Sequence, residues 1–578
     1  MVDLIIQSAQ QRVIKKYFCI KQQINFMNQK FLPSVLLSSI AILLMVSCSK
    51  KSNTLGRYVP ANAAIVLHLN VASITAKLPW EEVKQNELFK KMAADSSLSP
   101  FAKAALDNPE NTGIDIKKDL IFFMVKDSTG AYVAFEGGVK DAAKFKAYNI
   151  SVMKSGKASQ KNGFEYIADD KTTVSWNQSK FIVVVDAPEA SQINNMNRMM
   201  NKDSMMLPPP VSTRDEAAIT NQLYALAENN SLAKNEKFSE LISVKGDMHF
   251  WMNAESFNPG TAGMGAMSMV NMNKIFEGSV TSGTVNFETG KIEVDMNSYA
   301  GKELTDISKK YSGSKISKDM VKRVPVKNMA FFLAMNFKPE GIKEFVKLMG
   351  MEGLINMGAA FLGFNLDDFV KANKGDILLA VSDIVKDSSG KMGASVLFAA
   401  SVGDKVSFDK LLAAGNKMGK EQLGAAASQA YFNQNKEYFA IGNKKENIDQ
   451  FITKEGSSNF DFYNKIASSP IGGYVNLQYI MTSLRSEASK DSLGLIAMDA
   501  SIKMWENIIL SGGDFKNNGV TQHIEINLVD KTTNSLKQLN KYAALIEVVA
   551  EQKKKETNIT EIRLQGDTTG VIDSLKFE

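Results

Sequence analysis

Five short patterns recur in the same order in the two halves of this chain, about 230 to 265 residues apart. The first is a Val-Pro pair followed by an apolar segment that ends at an asparagine, and it occurs at residues 59–70 and again at 324–336. The other four pairs are residues 125–130 with 385–390, 139–145 with 402–408, 177–180 with 433–436, and 282–297 with 511–527. A single match arises easily by chance, but five in register indicate an internal duplication.

Each half is expected to fold as a domain of its own. In the first half, an apolar strand passes through Asn70 into an amphipathic helix over residues 71–92. Residues 120–139 have apolar arms joined by a turn-forming segment and are predicted to form a β-hairpin. The longest predicted helix spans residues 215–232. Hairpins interleaved with helices indicate an α+β fold of two duplicated domains, each a largely antiparallel sheet with packed helices.

Residues 27–51 have the pattern of a bacterial lipoprotein signal. Lys30 precedes an apolar run at residues 35–46, and the run ends at Ser47-Cys48. Spanning a bilayer takes about 20 apolar residues, so this run is too short to do so comfortably. A lone cysteine followed by a polar, lysine-rich segment is typical of a signal that is cut ahead of a diacylated cysteine. An ordinary cleaved signal peptide or a membrane anchor is the alternative.

These signals predict the division of the chain. The predicted segments are 1–26, upstream of the expected start at Met27; 27–47, the lipoprotein signal peptide; 48–55, a tether; 56–312, the first α+β repeat domain; 313–545, the second α+β repeat domain; and 546–578, a C-terminal tail.

The charge of the predicted mature chain is close to neutral. Residues 1–47 contain five of the 68 basic residues and one of the 62 acidic residues, so the chain from Cys48 onward carries a net charge of +2. No run of lysines is interleaved with aromatic residues as a nucleic-acid groove requires. The composition therefore predicts no nucleic-acid partner.

Cysteine usage excludes thiol chemistry in the mature chain. The two cysteines are Cys19, ahead of the predicted start, and Cys48, which lipid would block. A chain of this size buries large cores without disulfides. Thiol catalysis and zinc–thiolate sites are thereby excluded.

A methionine cluster is the most conspicuous remaining pattern, at Met264, Met267, Met269 and Met272. Thioethers favour Cu(I), but the corresponding part of the second half carries leucine and isoleucine as well as methionine. Replacement of methionine by leucine or isoleucine at corresponding positions is typical of a packing surface or an adaptable apolar binding surface. We interpret the cluster as an apolar contact loop for a partner or a lipid, and not as a copper site.

No catalytic or metal-binding constellation is recognisable. The histidines, His68, His249 and His523, lie far apart in predicted strands, and no His-Glu-x-x-His motif occurs. Nucleophile elbows, Walker A loops and dinucleotide fingerprints are also missing. The sequence predicts no enzymatic activity, no cofactor and no metal site; an unrecognised hydrolase is the least favoured alternative.

The Cys48 signal, the Val-Pro-x-Asn opening and the duplicated hairpin resemble a family of uncharacterised lipoproteins of Bacteroidetes, defined as a domain of unknown function. The resemblance implies a location but supplies no functional residue. In that phylum, surface export favours acidic residues just after the cysteine, and residues 49–53 have none. The resemblance therefore implies a cell-envelope lipoprotein of the outer membrane that faces the periplasm.

The same resemblance implies O-glycosylation at Asp-Ser or Asp-Thr followed by an apolar residue or threonine. The candidate acceptors are Ser128, Ser204, Ser492, Thr568 and Ser574.

Two functional hypotheses follow, both with the membrane as a partner through lipidated Cys48. The first is a non-enzymatic binding or structural module with an unknown envelope protein as partner. The second is a carrier of a lipid or another apolar ligand.

Overall fold

The computed structural model describes residues 55–94, 100–127, 130–169, 171–187, 214–257, 271, 273–386, 390–423, 430–454, 460–488 and 491–569. It has a mixed α and β architecture with one large antiparallel sheet.

Eighteen β-strands are formed by the described residues. They are β1 Ile65–Leu69, β2 Leu120–Asp127, β3 Gly130–Gly138, β4 Ser159–Lys161, β5 Phe164–Asp169, β6 Thr172–Trp176, β7 Lys180–Asp186, β8 Met248–Asn253, β9 Val280–Glu288, β10 Lys291–Tyr299, β11 Met329–Asn336, β12 Asn373–Lys386, β13 Met392–Val402, β14 Tyr431–Gln434, β15 Tyr438–Gly442, β16 Ile471–Val475, β17 Trp505–Lys516 and β18 Gly519–Leu528.

Nineteen α-helices also lie within the described part of the chain. They are α1 Val71–Lys77, α2 Trp80–Lys84, α3 Glu87–Ala94, α4 Pro100–Asp107, α5 Ala142–Val152, α6 Glu216–Tyr224, α7 Glu236–Ser243, α8 Asn273–Phe276, α9 Lys302–Tyr311, α10 Lys318–Lys322, α11 Pro339–Leu348, α12 Glu352–Ala360, α13 Leu366–Ala372, α14 Lys405–Leu423, α15 Lys445–Thr453, α16 Tyr463–Ile466, α17 Leu477–Ala488, α18 Ser492–Met504 and α19 Ser535–Thr569. Short 3₁₀ helices occur at Pro109–Thr112, Glu228–Asn230, Leu232–Lys234 and Ala254–Phe257.

All the strands of the described chain belong to a single 18-stranded antiparallel sheet. Its spatial order is β4-β5-β6-β7-β3-β2-β1-β8-β9-β10-β18-β17-β16-β11-β12-β13-β15-β14. The predicted hairpin over residues 120–139 is confirmed as β2 and β3. The centre of the sheet is the β10–β18 pair, which we call the seam because it joins strands that are far apart in sequence.

One face of the sheet, which we call the core face, carries two hydrophobic cores. The first core contains Val66 and Phe123 from the sheet, covered by α6 and α7 through residues such as Leu223 and Phe238. The second core contains Phe332 and its neighbours, covered by α10, α15 and α16. The opposite face, which we call the open face, is covered by α5 and α14 towards its two ends. In the middle of the open face most side chains are half-buried, whereas Phe287 and Ile292 are buried.

Between the two cores, the core face of the seam is polar. Asp295 and His523 are direct cross-strand partners, and their Oδ1 and Nδ1 atoms are 2.7 Å apart. Glu293 and Glu525 are also direct partners, a like-charge pair that lysines compensate: Glu293 pairs with Lys291 and Glu525 with Lys465. The hydrogen bond from His523 to Asp295, assisted by the nearby glutamates, raises the pKa of His523.

We expect His523 to make the seam more stable at acidic than at alkaline pH. Its pKa is higher in the folded state, so its stabilisation is complete below the unfolded-state value of about 6.5 and is lost as pH rises through the folded-state value. Thermal unfolding of the wild type and of His523→Gln at pH 6 and pH 9 checks this expectation. The difference in melting temperature between the wild type and the variant should be larger at pH 6 than at pH 9. A difference in melting temperature that does not change with pH would contradict the expectation.

Two helix predictions are wrong. The helix expected over residues 71–92 is broken into α1, α2 and α3, because Leu78 precedes Pro79 and takes an extended conformation, and a residue before proline disfavours the helical region. The segment at residues 215–232 forms the short helix α6 followed by 3₁₀ turns. The longest helix of the described residues is α19, which crosses the predicted boundary at residue 545.

Candidate functional site

The open face is apolar across most of the width of the sheet. Residues that pair directly in an antiparallel ladder point to the same face, so the register gives the composition of each face. One row of direct partners crosses nine neighbouring strands from β8 to β13. Its members are Met248, Val285, Val294, Ile524, Leu510, Gly473, Leu333, Leu379 and Phe398. At the ~4.8 Å spacing of strands, this central row is ~38 Å long.

Two further rows flank the central row and are also mostly apolar. On one side the partners are Ile526, Ile508, Val475, Phe331, Val381 and Val396. On the other side they include Phe122, Leu67, Phe250, Met296, Met335 and Ile377, with Gln522 as the polar interruption. The three rows together form the candidate functional site.

The side chains of this surface are accessible, unlike their neighbours on the core face. Phe332 and Ala334 are 0% and 1% exposed, whereas Phe331 and Leu333, the alternate residues of the same strand, are half-buried. Three residues near the first-half end of the surface are more exposed: Ile65 at 39%, Val133 at 37% and Met252 at 42%. The side chains of the central row are half-buried, so they remain partly accessible. Contiguous accessible apolar patches mark interaction sites on monomeric proteins.

Towards both ends of the sheet, helices cover the open face. Phe145 of α5 packs against Leu120 and Phe135, which are 0% and 8% exposed. Phe408 of α14 packs against Phe439 in the same way at the other end. The accessible apolar surface therefore lies between α5 towards one end of the sheet and α14 towards the other.

The chemistry of this surface is that of a hydrocarbon. Its rows contain aliphatic, thioether and phenyl side chains and no ionisable group. Apart from Gln522, such a surface forms no directional bonds with a ligand, and it gains about 0.8 kcal/mol for each methylene group that it removes from water. It is suited to binding an extended apolar ligand.

Two of the histidines come together on the core face. His68 and His249 are direct partners on β1 and β8, are both 1% exposed, and have Nδ1 atoms 2.9 Å apart. His249 Nε2 bonds to the carbonyl of Val244 at 2.9 Å, and His68 Nε2 lies 3.1 Å from Asp119 Oδ2 without hydrogen-bond geometry. His523 lies apart from them at the seam. Among the residues that the structure describes, no group of three His, Cys, Asp or Glu side chains is placed to hold a metal ion.

The other residues singled out from the sequence are mostly beyond the described ranges. Cys48 lies outside them, as do Met264, Met267, Met269 and Met272 and the candidate acceptors Ser128, Ser204 and Ser574. Ser492 is described: it is the exposed first residue of α18, after the helix-capping Asp491. Thr568 lies within α19 near its C-terminal end. No helix within the described ranges has the length and hydrophobicity needed to cross a membrane.

The open face was missed at the level of sequence, although a signal was present. Three strand segments are apolar at consecutive positions, and therefore on both faces of the sheet: residues 120–125, 329–335 and 377–381. A strand of this kind requires cover on both faces. The apolar second face of these strands is the sequence signal for the open face.

The chain matches the family described as "Domain of unknown function (DUF4836)" over residues 56–500. It belongs to the DUF4836 family. The DUF4836 match includes the strands from β1 to β16 and ends within α18, ahead of β17 and β18. No curated protein matches the chain.

Solved structures add little to the DUF4836 assignment. One that is similar is titled "Structure of crystal form I of TP0453"; it is 10% identical, and the similarity covers 44% of this chain and 81% of that one. The TM-score is 0.23, which is too low to carry an argument about fold or function.

Proposed function

We propose that this DUF4836 protein is a non-enzymatic envelope lipoprotein, anchored through Cys48, whose open face binds the acyl chain of a lipid. The observation that carries the proposal is the accessible apolar surface formed by three parallel rows of the sheet. Of the hypotheses raised by the sequence, the apolar-ligand carrier is the one that this geometry favours.

An acyl chain is the occupant that suits the surface best. The central row is ~38 Å long, so an extended acyl chain can lie along part of it. A protein partner is usually held by aromatic and arginine anchors with a polar rim, and the rows contain no arginine. The row is aliphatic where the two halves meet, at Val294, Ile524 and Leu510.

We further propose that the two halves arose by duplication and that the seam is their shared boundary. Outward from the seam, the strands on one side are β9, β8, β1, β2, β3 and β7, and those on the other side are β17, β16, β11, β12, β13 and β15. Each of these strands of the first half therefore has a counterpart of the second half at the same distance from the seam. The two halves also share a hydrogen bond at equivalent places. The backbone N–H of Asn70 donates to the carbonyl of Asp247, just before β8, and that of Asn336 donates to the carbonyl of Pro470, just before β16.

The seam pairs equivalent residues of the two repeats. The matching sequence segments 282–297 and 511–527 end at Asn297 and Asn527. Val294 and Ile524 each lie three residues before these ends, so they are equivalent positions of the two repeats. These two residues are direct partners across the seam. Such self-complementary pairing is what a two-fold relation between duplicated halves produces.

A fatty-acid titration tests the binding proposal. Ile524→Glu places a charge in the central row of a half-exposed surface, and we expect it to weaken palmitate binding by at least about tenfold. Leu354→Glu on α12 is the matched control, because Leu354 is 58% exposed and lies outside the rows. Equal affinities for the wild type and Ile524→Glu, or no palmitate binding by the wild type, would reject the proposal.

The anchor is tested separately by mass and fractionation. Intact mass of the membrane-purified protein should correspond to a chain that begins at Cys48 and carries a diacylglyceryl group and an N-acyl group. Cys48→Ser should appear in the soluble envelope fraction. A wild-type cysteine without lipid would exclude the lipoprotein assignment. Protease added to intact cells should spare the protein if it faces the periplasm.

A protein-binding module remains the second candidate because of an exposed patch on α12 and its end. Leu354, Met357 and Phe361 share one helical face and are 58%, 59% and 78% exposed. Native mass spectrometry after gentle purification separates the two functions: co-purified lipid favours the carrier, and a stoichiometric protein that is lost in Met357→Glu favours the module.

A further inference from the structure

A second candidate site, a cleft, lies on the core face, opposite the apolar surface. It is a cleft of about 670 Å³ at the seam, beside the second core. The first half contributes Thr289 and Gly290 of the β9–β10 turn and Lys291 at the start of β10, and the remaining lining comes from the second half. Clefts of about 300 to 1,000 Å³ at the junction of two structural units are typical small-molecule sites.

One wall of the cleft is a stack of three aromatic rings. The ring of Phe462 lies between those of Phe460 and Tyr474, with centroid distances of 5.2 Å and 4.2 Å. The two end rings, Phe460 and Tyr474, are half-buried, and each keeps one face free of the stack. An aromatic face carries negative quadrupolar charge and attracts polarised C–H groups.

The charges that line the cleft are balanced. Lys531 pairs with Glu506, and two further lysines are neutralised by Glu293 and Glu525 on the adjacent sheet. Lys327 and Asp461 make no hydrogen bond or ion pair with any other residue that the structure describes. The cleft therefore offers one free ammonium and one free carboxylate, without the surplus of positive charge that a phosphate ligand requires.

The remaining polar groups both donate and accept. The side chain of Asn328 is exposed and makes no hydrogen bond within the described chain. Asn476 accepts from the backbone N–H of Tyr479, and its amide N–H groups make no hydrogen bond within the described chain. Amide, ammonium and carboxylate groups side by side satisfy a ligand whose hydroxyl groups donate and accept at every position.

We infer that this cleft is a saccharide-binding site, in which a sugar ring stacks on the aromatic wall while its hydroxyls bond to Lys327, Asn328 and Asp461. A sugar ring has an apolar C–H face and a hydroxyl rim, and these match the wall and the polar lining respectively. The inference is independent of the acyl-chain proposal, because the two sites lie on opposite faces of the sheet.

The test is an array of neutral, N-acetylated and uronic-acid-containing oligosaccharides, with adenosine and adenosine monophosphate as comparison ligands, probed with the full chain. We expect at least one saccharide class to bind. Lys327→Ala combined with Asn328→Ala should lower its affinity about tenfold or more, since each hydrogen bond contributes about 1 kcal/mol. Both residues are exposed, so folding should be preserved.

Two comparisons make the outcome decisive. Lys322→Ala removes an exposed lysine of the same region that does not line the cleft, and it should leave the affinity unchanged. Phe460→Ala should weaken binding by removing an end ring of the stack. Failure of every saccharide to bind, binding of the nucleotides alone, or equal affinities for the wild type and the double variant would overturn the inference.

Discussion

Asp247→Ala should destabilise the protein by about 3–5 kcal/mol, because it removes a buried carboxylate on which three donors converge. Asp247 is 1% exposed, and it accepts hydrogen bonds from the hydroxyl of Ser73, from Lys77 Nζ at 2.7 Å and from the backbone N–H of Phe287 at 2.6 Å. Alanine leaves the buried backbone N–H of Phe287 without a partner and leaves the Lys77 ammonium only its longer contact with Glu288, and an unpaired buried group carries the full cost of desolvation. The carboxylate therefore joins α1 to the β8–β9 part of the sheet.

The midpoint of urea unfolding measures this effect. Glu288→Ala is the matched control, since Glu288 lies 3.3 Å from the same lysine ammonium but is 45% exposed. Exposed ion pairs contribute about 0–1 kcal/mol, so the control should shift the midpoint only slightly. Similar shifts for the two variants would show that the network around Asp247 does not hold α1 in place.

Phe332→Ala should cost about 3–5 kcal/mol, whereas Phe331→Ala should cost about 1–2 kcal/mol. The two residues are neighbours on β11 and point to opposite faces. Phe332 is 0% exposed and belongs to the second core, where its ring lies 5.3 Å from that of Phe462. Phe331 is half-buried on the open face, so its removal leaves no enclosed cavity.

The losses of unfolding free energy in these two variants compare how tightly the two faces of β11 are packed. Urea unfolding of both variants should show the larger loss for Phe332→Ala. Equal losses would mean that the open face is packed as tightly as the core face, and the proposed binding surface would then be closed. Added palmitate should raise the stability of Phe332→Ala and the wild type alike, because ligand that binds only the folded state stabilises it.

Local features of the fold were predictable from the sequence. The predicted strands correspond to β1, which ends at Leu69, and β11, which ends at Asn336. Asn70 caps α1 by accepting from the backbone N–H of Ser73. The hairpin turn before Gly130 follows from residue preferences within a few positions. These features depend on neighbours in the sequence, which is why patterns identify them.

The seam and the open face depend on contacts that sequence patterns do not encode. The pairing of Val294 with Ile524 joins residues of different halves, and nothing local specifies which strand edges meet. Apolar residues on both faces of β11 predict burial on both faces, yet Phe331 and Leu333 of the open face are only half-buried, whereas Phe332 and Ala334 of the core face are buried. The cleft likewise combines the β9–β10 turn with residues of the second half.

Photo-crosslinking with a diazirine analogue of palmitate, mapped by peptide mass spectrometry, tests the central claim most directly. We predict adducts on β10, β17 and β18, in particular at Val294, Leu510 and Ile524, that unlabelled palmitate suppresses. Adducts confined to the exposed face of α12, or spread over the surface and insensitive to competition, would contradict the account.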